Sequence, residues 1–331
     1  MAMTIGINGF GRIGRNAARV ILESSDLSLG AINSMSSADS HAYLLAHDST
    51  QGAFDEKIKV HGSSFTVHGK TIDCFGAKEP SEISWEKAGV DVVLECTGKF
   101  RTTQEASKHL GSTVKRVVIS APVKDDTPTY IMGVNHQSYT NQPVISSSSC
   151  TTNCVTTVLK VLHDNFSVLR GSMTTVHAVT DSQNLLDNSH KKEVRLRRSA
   201  LVNMIPTTSG SARDVAKMFP HLVGLLPCRS IRVPLPAVSL IDLTVEVKKK
   251  TTVSEINNAF ENVAKTSMNG ILAVAGEEFV STDFVGDSHS SIVDPFLTDV
   301  VDGTLVHITA WYDNEWGYAN RLVDLARLIA K

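Results

Sequence analysis

The sequence lacks the features that would assign it to several large classes of protein. Its 331 residues carry a formal net charge of -2 and no basic block beyond the short cluster 191–198, which argues against nucleic acid as the main partner. No apolar run approaches the ~20 residues of a membrane span. The five cysteines form no CxxC pair, so the sequence offers no metal site and suits a reducing compartment.

The remaining composition is that of a globular protein. A hydrophobic content of 42% over this length leaves room for two domains. The first residues, MAMTIGINGF, enter a predicted strand at once and leave no room for a signal or transit peptide. We therefore expect a cytoplasmic protein; the alternative is a mature organellar form whose leader has been removed.

A glycine-rich turn follows the first predicted strand, residues 4–8, and precedes a predicted helix at 16–22. The segment GFGRIGR places Gly9, Gly11 and Gly14 in the spacing GxGxxG. Gly9 permits a tight turn, Gly11 lets a pyrophosphate approach the backbone, and Gly14 lets the helix pack closely on the strand. The pattern predicts a dinucleotide site; the alternative is a glycine-rich turn without a ligand.

The second predicted strand, 27–33, ends without an expected acidic residue. About 20 residues beyond the glycines, a carboxylate usually holds the ribose 2′-hydroxyl of NAD, but this chain has Ser34 there. The absence of a carboxylate that would repel a 2′-phosphate points to NADP, or to tolerance of both cofactors. The alternative is that Asp39 reaches back through a bent loop.

Alternating strands and helices continue along the first half, with strands predicted at 90–96, 117–120 and 143–146. This order predicts a Rossmann-type, doubly wound parallel sheet in an α/β protein, with a ligand across the carboxyl ends of the strands. Strands predicted at 168–180, 231–233, 239–247 and 306–312 indicate an α+β catalytic domain with a mixed, largely antiparallel sheet. We expect a dinucleotide domain at 1–150, with a helix in 315–331 packing on it, and a catalytic domain at 151–314.

The segment SSSSCTTNCVTT sets Cys150 among hydroxyl groups at the predicted start of a helix. The apolar residues that follow it, Val155, Val158, Leu159, Leu162 and Phe166, recur at helical spacing. A cap from Ser148 or Ser149 and the helix dipole would lower the pKa of the Cys150 thiol and make it a nucleophile. A free core cysteine is the alternative, and Cys154, one turn further on, suits a structural or protective role.

Five motifs then occur in order along nearly the whole chain: INGFGRIGR, SSSSCTTNC, TTVHAVT, IRVPLP and WYDNEWGYANR. Together they resemble the phosphorylating glyceraldehyde-3-phosphate dehydrogenase family. The resemblance implies that Cys150 attacks an aldehyde to give a thiohemiacetal, with His177 as the base. Hydride transfer to the nicotinamide would leave a thioester, which inorganic phosphate would cleave to an acyl phosphate. Glyceraldehyde 3-phosphate and inorganic phosphate are the implied substrates, and a homotetramer is the implied assembly.

The resemblance also implies the binding residues. The cofactor set is Gly9, Phe10, Gly11, Arg12, Ile13, Ser34, Lys78, Thr97, Ser120, Ser189, Asn314 and Tyr318, in which Asn314 would hold the nicotinamide carboxamide. The substrate and phosphate set is Ser149, Thr151, Thr180, Arg198, Ser209, Gly210 and Arg232, in which Thr180 and Arg232 would hold the substrate phosphate. The loop 190–206 is one residue longer than usual, so Arg197 competes with Arg198.

Several positions depart from the family's pattern. Ser147 and Ser148 replace an asparagine and an alanine beside the nucleophile, and Ser182 and Asn184 replace an acidic and a basic residue. Ser34, Ser189 and Lys78 all favour a 2′-phosphate, as in the NADP-tolerant anabolic or photosynthetic branch. We therefore expect NADP to be favoured and NAD also to be accepted.

Two rival functions are weighed against this prediction. Erythrose-4-phosphate dehydrogenase would hydrolyse the thioester, but TTSGSA at 207–212 keeps the pattern of a phosphate site. A non-catalytic NAD(P)-binding relative is the rival of another class, and the retention of Cys150, His177 and Asn314 argues against it.

Overall fold

A computed structural model describes residues 2–191 and 193–330; Met1, Lys331 and Lys192, which belongs to the predicted basic cluster, lie outside the described residues. The described chain divides into two compact units. The first holds the residues up to Ser149 and those from Ala319 onward, and the second comprises Cys150–Tyr318. The expected functional domains, 1–150 with 315–331 and 151–314, stay a prediction.

The first unit contains a sheet with the strand order β10-β9-β8-β1-β2-β7-β6-β5, together with a small β3-β4 ribbon. Its strands are β1 (Met3–Asn8), β2 (Leu27–Asn33), β3 (His47–Asp48), β4 (Gly52–Ala53), β5 (Lys59–His61), β6 (Ser64–Val67), β7 (Lys70–Phe75), β8 (Val92–Glu95), β9 (Arg116–Ile119) and β10 (Val144–Ser146). Its helices are α1 (Arg12–Leu22), α2 (Ala38–Ala46) and α3 (Thr103–Ala106), with 3-10 turns at Pro80–Glu82, Trp85–Ala88, Ser107–His109 and His136–Ser138.

The six strands from β10 to β7 run parallel, and β6 and β5 are antiparallel additions at one edge. Strand order reverses at β1, which lies between β2 and β8, so the predicted doubly wound sheet is confirmed. Ile5, Ile7 and Leu94 are fully buried. Such near-continuous apolar runs are typical of parallel strands that are covered on both faces.

The second unit contains a mixed sheet with the order β12-β13-β11-β14-β18-β16-β15, and β17 pairs with β18. Its strands are β11 (Val168–His177), β12 (Ile205–Thr208), β13 (Cys228–Arg232), β14 (Ser239–Val247), β15 (Leu272–Val274), β16 (Ser291–Val293), β17 (Asp299–Val301) and β18 (Leu305–Tyr312). Its helices are α4 (Cys150–Phe166), α5 (Ser211–Met218) and α6 (Val253–Lys265), with 3-10 turns at Arg195–Arg197, Pro220–Leu222, Ser281–Phe284 and Pro295–Leu297. Only β11 with β13 and β15 with β16 are parallel among the described pairs, which confirms a largely antiparallel sheet.

The last helix, α7 (Trp316–Ile329), begins in the second unit, and its residues from Ala319 belong to the first. Within the first unit, Arg327 Nε donates to Asp26 Oδ2 at 2.9 Å, and Arg116 Nε donates to the carbonyl of Ile329 at 3.2 Å. These bonds attach the end of the chain to the β2 and β9 regions. No helix within 2–191 and 193–330 is long and apolar enough to cross a membrane.

Candidate active site

The glycine turn after β1 has the geometry that a pyrophosphate site requires. Gly9 has φ +94°, and a Cβ there would lie 2.7 Å from the backbone of Cys96 and Thr97. A Cβ on Gly14 would lie 2.1 Å from the carbonyl oxygen of Gly9. By contrast, a Cβ on Gly11 would have no neighbour within 4 Å. The first and third glycines therefore permit close backbone contacts, and the second leaves open space at the amino end of α1, where a dinucleotide phosphate fits.

Four further cofactor candidates lie at the same edge of the sheet. Ser34, Lys78, Thr97 and Ser120 follow β2, β7, β8 and β9, which all run parallel to β1, so all four come after carboxyl ends. Ser34 N donates to the carbonyl of Phe75 at 3.0 Å, and Lys78 is exposed. This is the edge at which parallel sheets bind dinucleotides.

The side chains between the glycines are held by neighbours in the first unit. Phe10 is buried and packs edge-on against His41 with ring centroids 5.3 Å apart. Arg12 is paired with Asp48, and Ile13 is half-buried in the first turn of α1. Asp39, which could have replaced the missing ribose carboxylate, is exposed in the first turn of α2.

The second unit brings the predicted catalytic pair together. Cys150 is the first residue of α4, as predicted, and its Sγ lies 3.5 Å from Nε2 of His177 at the end of β11. The other ring nitrogen, Nδ1, lies 2.7 Å from the carbonyl oxygen of Ala178 and 2.6 Å from Nη1 of Arg232. Nδ1 thus lies between an acceptor, the Ala178 carbonyl, and a donor, the Arg232 guanidinium, which also donates to that carbonyl at 3.2 Å. Only the tautomer with the proton on Nδ1, directed at Ala178, leaves Nε2 able to accept a proton at the sulfur.

Burial dominates the charge state of this pair. It raises the pKa of the Cys150 thiol, while the charge of Arg232 and hydrogen bonds at Thr151 act in the opposite direction. Burial and then the charge of Arg232 lower the pKa of His177 to about 3, against a hydrogen bond to Ala178. The predicted lowering of the Cys150 pKa is therefore wrong, because burial outweighs the favourable groups at the helix start. Burial also raises the pKa of Cys154 well above its ordinary value, which fits a structural role.

A cavity lined by basic and hydroxyl side chains, and by the carboxylate of Glu193, adjoins the pair within the second unit. It has a volume of about 480 Å³, and its lining includes Arg232, Lys191, Ser182, Ser189 and Thr208. Thr180, predicted to hold the substrate phosphate, has its Oγ1 3.0 Å from the hydroxyl of Ser182. Arg232 therefore connects the cavity to the imidazole of the catalytic pair.

The predicted inorganic-phosphate residues lie where two helices begin. Ser209 and Gly210 immediately precede α5, and Ser209 Oγ accepts from Ser211 N at 3.3 Å. Thr152 Oγ1 donates to Ser211 Oγ at 3.3 Å, so the first turns of α4 and α5 are adjacent. Two neighbouring helix amino ends present their positive dipole ends to an anion.

Other members of the predicted set are placed differently. The hydroxyl of Thr151 lies 2.9 Å from Oη of buried Tyr312, so this side chain serves the core. Arg198 is exposed and donates to Asp187 Oδ2 at 2.9 Å, while its competitor Arg197 is also exposed. Neither arginine is among the described residues that line the cavity, whereas Lys191 is. Ser149 is half-buried and directly precedes Cys150.

The nicotinamide candidate Asn314 is joined to the catalytic pair through a residue that the sequence did not suggest. Ala178 N donates to Ser239 Oγ, and Ser239 Oγ donates to Asn314 Oδ1, both at 3.0 Å. With its oxygen bonded to Ser239, the Asn314 amide has its NH₂ group available as a donor to a carboxamide oxygen. Tyr318 is buried in the same unit.

Tyr312 and Ser239 contact the candidate site residues and were not predicted from the sequence. Tyr312 Oη lies 2.8 Å from Thr175 Oγ1, and its ring packs edge-on against His177 with centroids 6.1 Å apart. Ser239 begins β14 without any motif of its own. The only available signal was that Tyr312 stands two residues before Asn314 in WYDNEWGYANR.

A dinucleotide-binding sheet and a thiol–imidazole pair within one chain define the class of the protein. Both are needed for nicotinamide-dependent oxidation of an aldehyde with phosphorylation. The glycine turn supports the assignment of the dinucleotide-binding sheet. The 3.5 Å contact between Cys150 and His177 supports the assignment of the thiol–imidazole pair.

Comparison with known proteins identifies the family within this class. Residues 3–103 match the family model described as glyceraldehyde 3-phosphate dehydrogenase, NAD binding domain, and residues 149–314 match the C-terminal domain of the same family. Over 332 aligned residues the chain is 46% identical to glyceraldehyde-3-phosphate dehydrogenase of Priestia megaterium and 45% identical to that of Geobacillus stearothermophilus. Both alignments cover 100% of this chain and 99% of the relative.

A further relative, glyceraldehyde-3-phosphate dehydrogenase 2 of Nostoc sp., is 43% identical over 99% of this chain and 98% of its own length. Both halves of the chain thus match one family in the expected order. The chain belongs to the glyceraldehyde-3-phosphate dehydrogenase family.

Proposed function

We propose that the chain oxidises glyceraldehyde 3-phosphate to 1,3-bisphosphoglycerate, reversibly and with inorganic phosphate as the second substrate. The observation that carries the proposal is the 3.5 Å contact between Cys150 Sγ and His177 Nε2 beside the Arg232 cavity. A half-buried thiol with a base at hydrogen-bond distance is the arrangement that forms a covalent intermediate with a carbonyl carbon.

The Cys150 sulfur attacks the aldehyde carbon as His177 Nε2 takes the thiol proton; the carbon–oxygen π bond opens, and its oxygen receives that proton to give a thiohemiacetal. His177 Nε2 takes up the hydroxyl proton as the carbon loses a hydride, and the product is a thioester on Cys150. This role requires the His177 ring proton to be on Nδ1, where the Ala178 carbonyl accepts it at 2.7 Å, and requires Arg232 Nη1, which can only donate, to direct its hydrogen to that carbonyl and not to Nδ1. A bound nicotinamide supplies the hydride acceptor.

Inorganic phosphate then attacks the thioester carbon, and the Cys150 thiol leaves. The amino ends of α4 and α5, with Ser149, Ser209 and Gly210, are proposed to bind this phosphate. Arg232 and Thr180 are proposed to bind the phosphate of the substrate. Arg198 is also proposed to bind phosphate, which requires that it break its hydrogen bond to Asp187. Lys191 also lines the cavity and adds a positive charge there.

NADP is the proposed preferred cofactor, with NAD also accepted. Asn33 supports this proposal because its side chain ties the segment before Lys78 to the end of β2. Asn33 Oδ1 accepts from Ala77 N at 2.9 Å, and Asn33 Nδ2 donates to the Ala77 carbonyl at 3.0 Å. Ser34 and the exposed Lys78 therefore lie on neighbouring segments, with no carboxylate at position 34 to repel a 2′-phosphate.

The proposed assembly is a homotetramer, and the proposed location is the cytoplasm. All five cysteines are free thiols, which suits a reducing compartment. Exposed apolar side chains on the 185–204 segment, including Val202 and Met204, support contacts between copies of the chain.

Steady-state oxidation of glyceraldehyde 3-phosphate with NAD and with NADP, each with and without inorganic phosphate, tests the proposal. Phosphate-dependent turnover with the higher kcat/KM for NADP is expected. Turnover that favours NAD would contradict the cofactor preference alone. Phosphate-independent turnover of erythrose 4-phosphate, or no turnover with either aldehyde, would instead favour one of the two rival functions.

A further inference from the structure

Glu95 is a buried carboxylate at the end of β8 that the proposed chemistry does not use. It is 1% exposed, yet protein donors surround both of its oxygens. Oε2 accepts from Asn8 Nδ2 at 2.5 Å and lies 3.1 Å from His109 Nε2. Oε1 accepts from Thr97 N at 2.8 Å and also from the Thr97 hydroxyl. These four donors replace the water that a buried carboxylate would lose.

The position of the proton on the His109 ring follows from the contact of that ring with Trp85. The indole N–H of Trp85 can only donate, and it lies 3.1 Å from His109 Nδ1. Nδ1 must therefore accept, so the ring proton is on Nε2 and is donated to Glu95. His109 is neutral in this arrangement, and the negative charge remains on Glu95.

The hydrogen bonds continue from Glu95 to the glycine turn and the β2 end. Asn8 gives an N–H to Glu95, and its Oδ1 accepts from Asn33 Nδ2 at 2.8 Å. Asn33 in turn holds Ala77 through both its backbone N–H and its carbonyl. The relay therefore runs from Trp85 through His109, Glu95, Asn8 and Asn33 to Ala77.

Four of the segments that these hydrogen bonds fix carry a proposed cofactor residue. Asn8 precedes Gly9, Asn33 precedes Ser34, and Ala77 precedes Lys78, while Thr97 is itself a direct partner of Glu95. We propose that Glu95 is a positioning residue of the cofactor site. Through these hydrogen bonds, its charge fixes the relative positions of the segments that bind NADP or NAD. This inference rests on the proposed function for the existence of that site.

The charge of Glu95 can be removed without a change in side-chain size. In Glu95→Gln, one oxygen becomes an NH₂ group, which then faces donors from Thr97 or from Asn8 and His109. The mismatch leaves donors unpaired in a buried site. The Kd for NADP, measured by isothermal titration of the full chain, is expected to rise about tenfold or more. At saturating cofactor, kcat is expected to stay within about twofold, because Cys150 and His177 are untouched.

Val93→Ala is the matched control, since Val93 is fully buried in the same strand and has only an apolar side chain. It should lower the unfolding temperature and leave the Kd for NADP unchanged. If Glu95→Gln does not fold, His109→Leu and His109→Gln form the second test. Leucine removes one donor to Glu95 and should raise the Kd, whereas glutamine restores a donor and should bring the Kd back towards that of the wild type.

The outcomes separate this inference from the proposed function. Wild-type chain that binds NADP, with both Glu95→Gln and His109→Leu binding equally well, would overturn the inference and leave the proposed function standing. A Val93→Ala variant that loses affinity as strongly as Glu95→Gln would also overturn it, because general destabilisation would then explain the loss. Wild-type chain that binds neither NADP nor NAD would overturn both.

Discussion

Arg232 places a positive charge beside the catalytic pair. Its Nη1 lies 2.6 Å from Nδ1 of His177, and its charge lowers the pKa of the Cys150 thiol against the effect of burial. Burial in turn lowers the pKa of Arg232 itself. One residue thus serves both the proposed substrate phosphate and the reactivity of the sulfur.

Replacing this charge should slow the reaction of the thiol. In Arg232→Gln the pKa of Cys150 rises further, so at a fixed pH below that pKa the thiolate fraction falls. We expect the alkylation rate of Cys150 by iodoacetamide at pH 8 to fall by about threefold to tenfold. Arg198→Gln is the matched control, because Arg198 is exposed and paired with Asp187. A rate that is unchanged in Arg232→Gln would contradict the electrostatic role.

Cofactor preference is a second property that one residue should control. Ser34→Asp places a carboxylate at the ribose position, where it repels a 2′-phosphate and can accept from a 2′-hydroxyl. The ratio of kcat/KM for NADP to kcat/KM for NAD should fall by about tenfold or more. Lys78→Gln should lower the same ratio less, since an exposed charge is screened. If Ser34→Asp leaves the ratio unchanged, the loop recognises the ribose by other groups.

At the scale of elements, the turn between β10 and α4 is strained at one position. Ser148 is fully buried and has φ +56°, a backbone conformation that residues other than glycine rarely adopt. Ser148 N donates to Ser146 Oγ at 2.9 Å, which helps to hold the turn. Ser147 and Ser148, which replace the family's asparagine and alanine, therefore lie in a turn with a strained backbone.

Substitutions at Ser148 should change stability according to backbone freedom. Ser148→Val puts a β-branched residue at positive φ and should lower the free energy of unfolding by about 1–3 kcal/mol. Ser148→Gly should leave it unchanged or raise it by up to about 1 kcal/mol. Chemical denaturation of both variants measures the difference. Equal stabilities would show that the turn relaxes to another conformation.

Elements with strong periodicity could be predicted from the sequence. The strand 27–33 and the strand 239–247 occur with the predicted bounds. The first, LSLGAIN, is a short apolar run, and the second, SLIDLTVEV, alternates buried apolar residues with more exposed ones. Helix α1 begins at Arg12 instead of residue 16, since polar Arg12 and Arg15 conceal its first turn. The β5–β7 meander, β15 and β17 were not predicted, because these strands are short and partly exposed, and β16 was not predicted because it has only three residues.

The contact between Cys150 and His177 was predictable from the sequence, and the energetics of this pair were not. Motif order indicated Cys150 and His177, but the pKa of Cys150 depends on burial by residues distant in the sequence, which no local pattern reveals. The loop 178–204 has no periodicity, so its shape depends on side-chain bonds. Asn184 Nδ2, for example, donates to the carbonyls of Asn188 and Ser189 at 2.9 and 3.2 Å. The pairing of Arg198 with Asp187 is likewise a side-chain contact that no sequence pattern predicts.

At the scale of the whole molecule, exposed apolar residues support self-association. Val202 is 79% and Met204 76% exposed, although both are apolar. Light scattering should therefore give a mass near four times the 35.8 kDa of the chain. Val202→Asp should shift this mass towards smaller species, whereas Val253→Asp, at the start of α6, should not. A wild-type mass of one chain at micromolar concentration would contradict the homotetramer.

The central claim is that Cys150 carries the acyl group between oxidation and phosphate attack. The most direct test mixes the protein with NADP and glyceraldehyde 3-phosphate without phosphate, and then analyses the chain by mass spectrometry. We predict a burst of about one equivalent of reduced cofactor per chain and an acyl adduct on Cys150 that disappears when inorganic phosphate is added. A burst without an adduct, an adduct on Cys154, or an adduct that persists in phosphate would contradict the account.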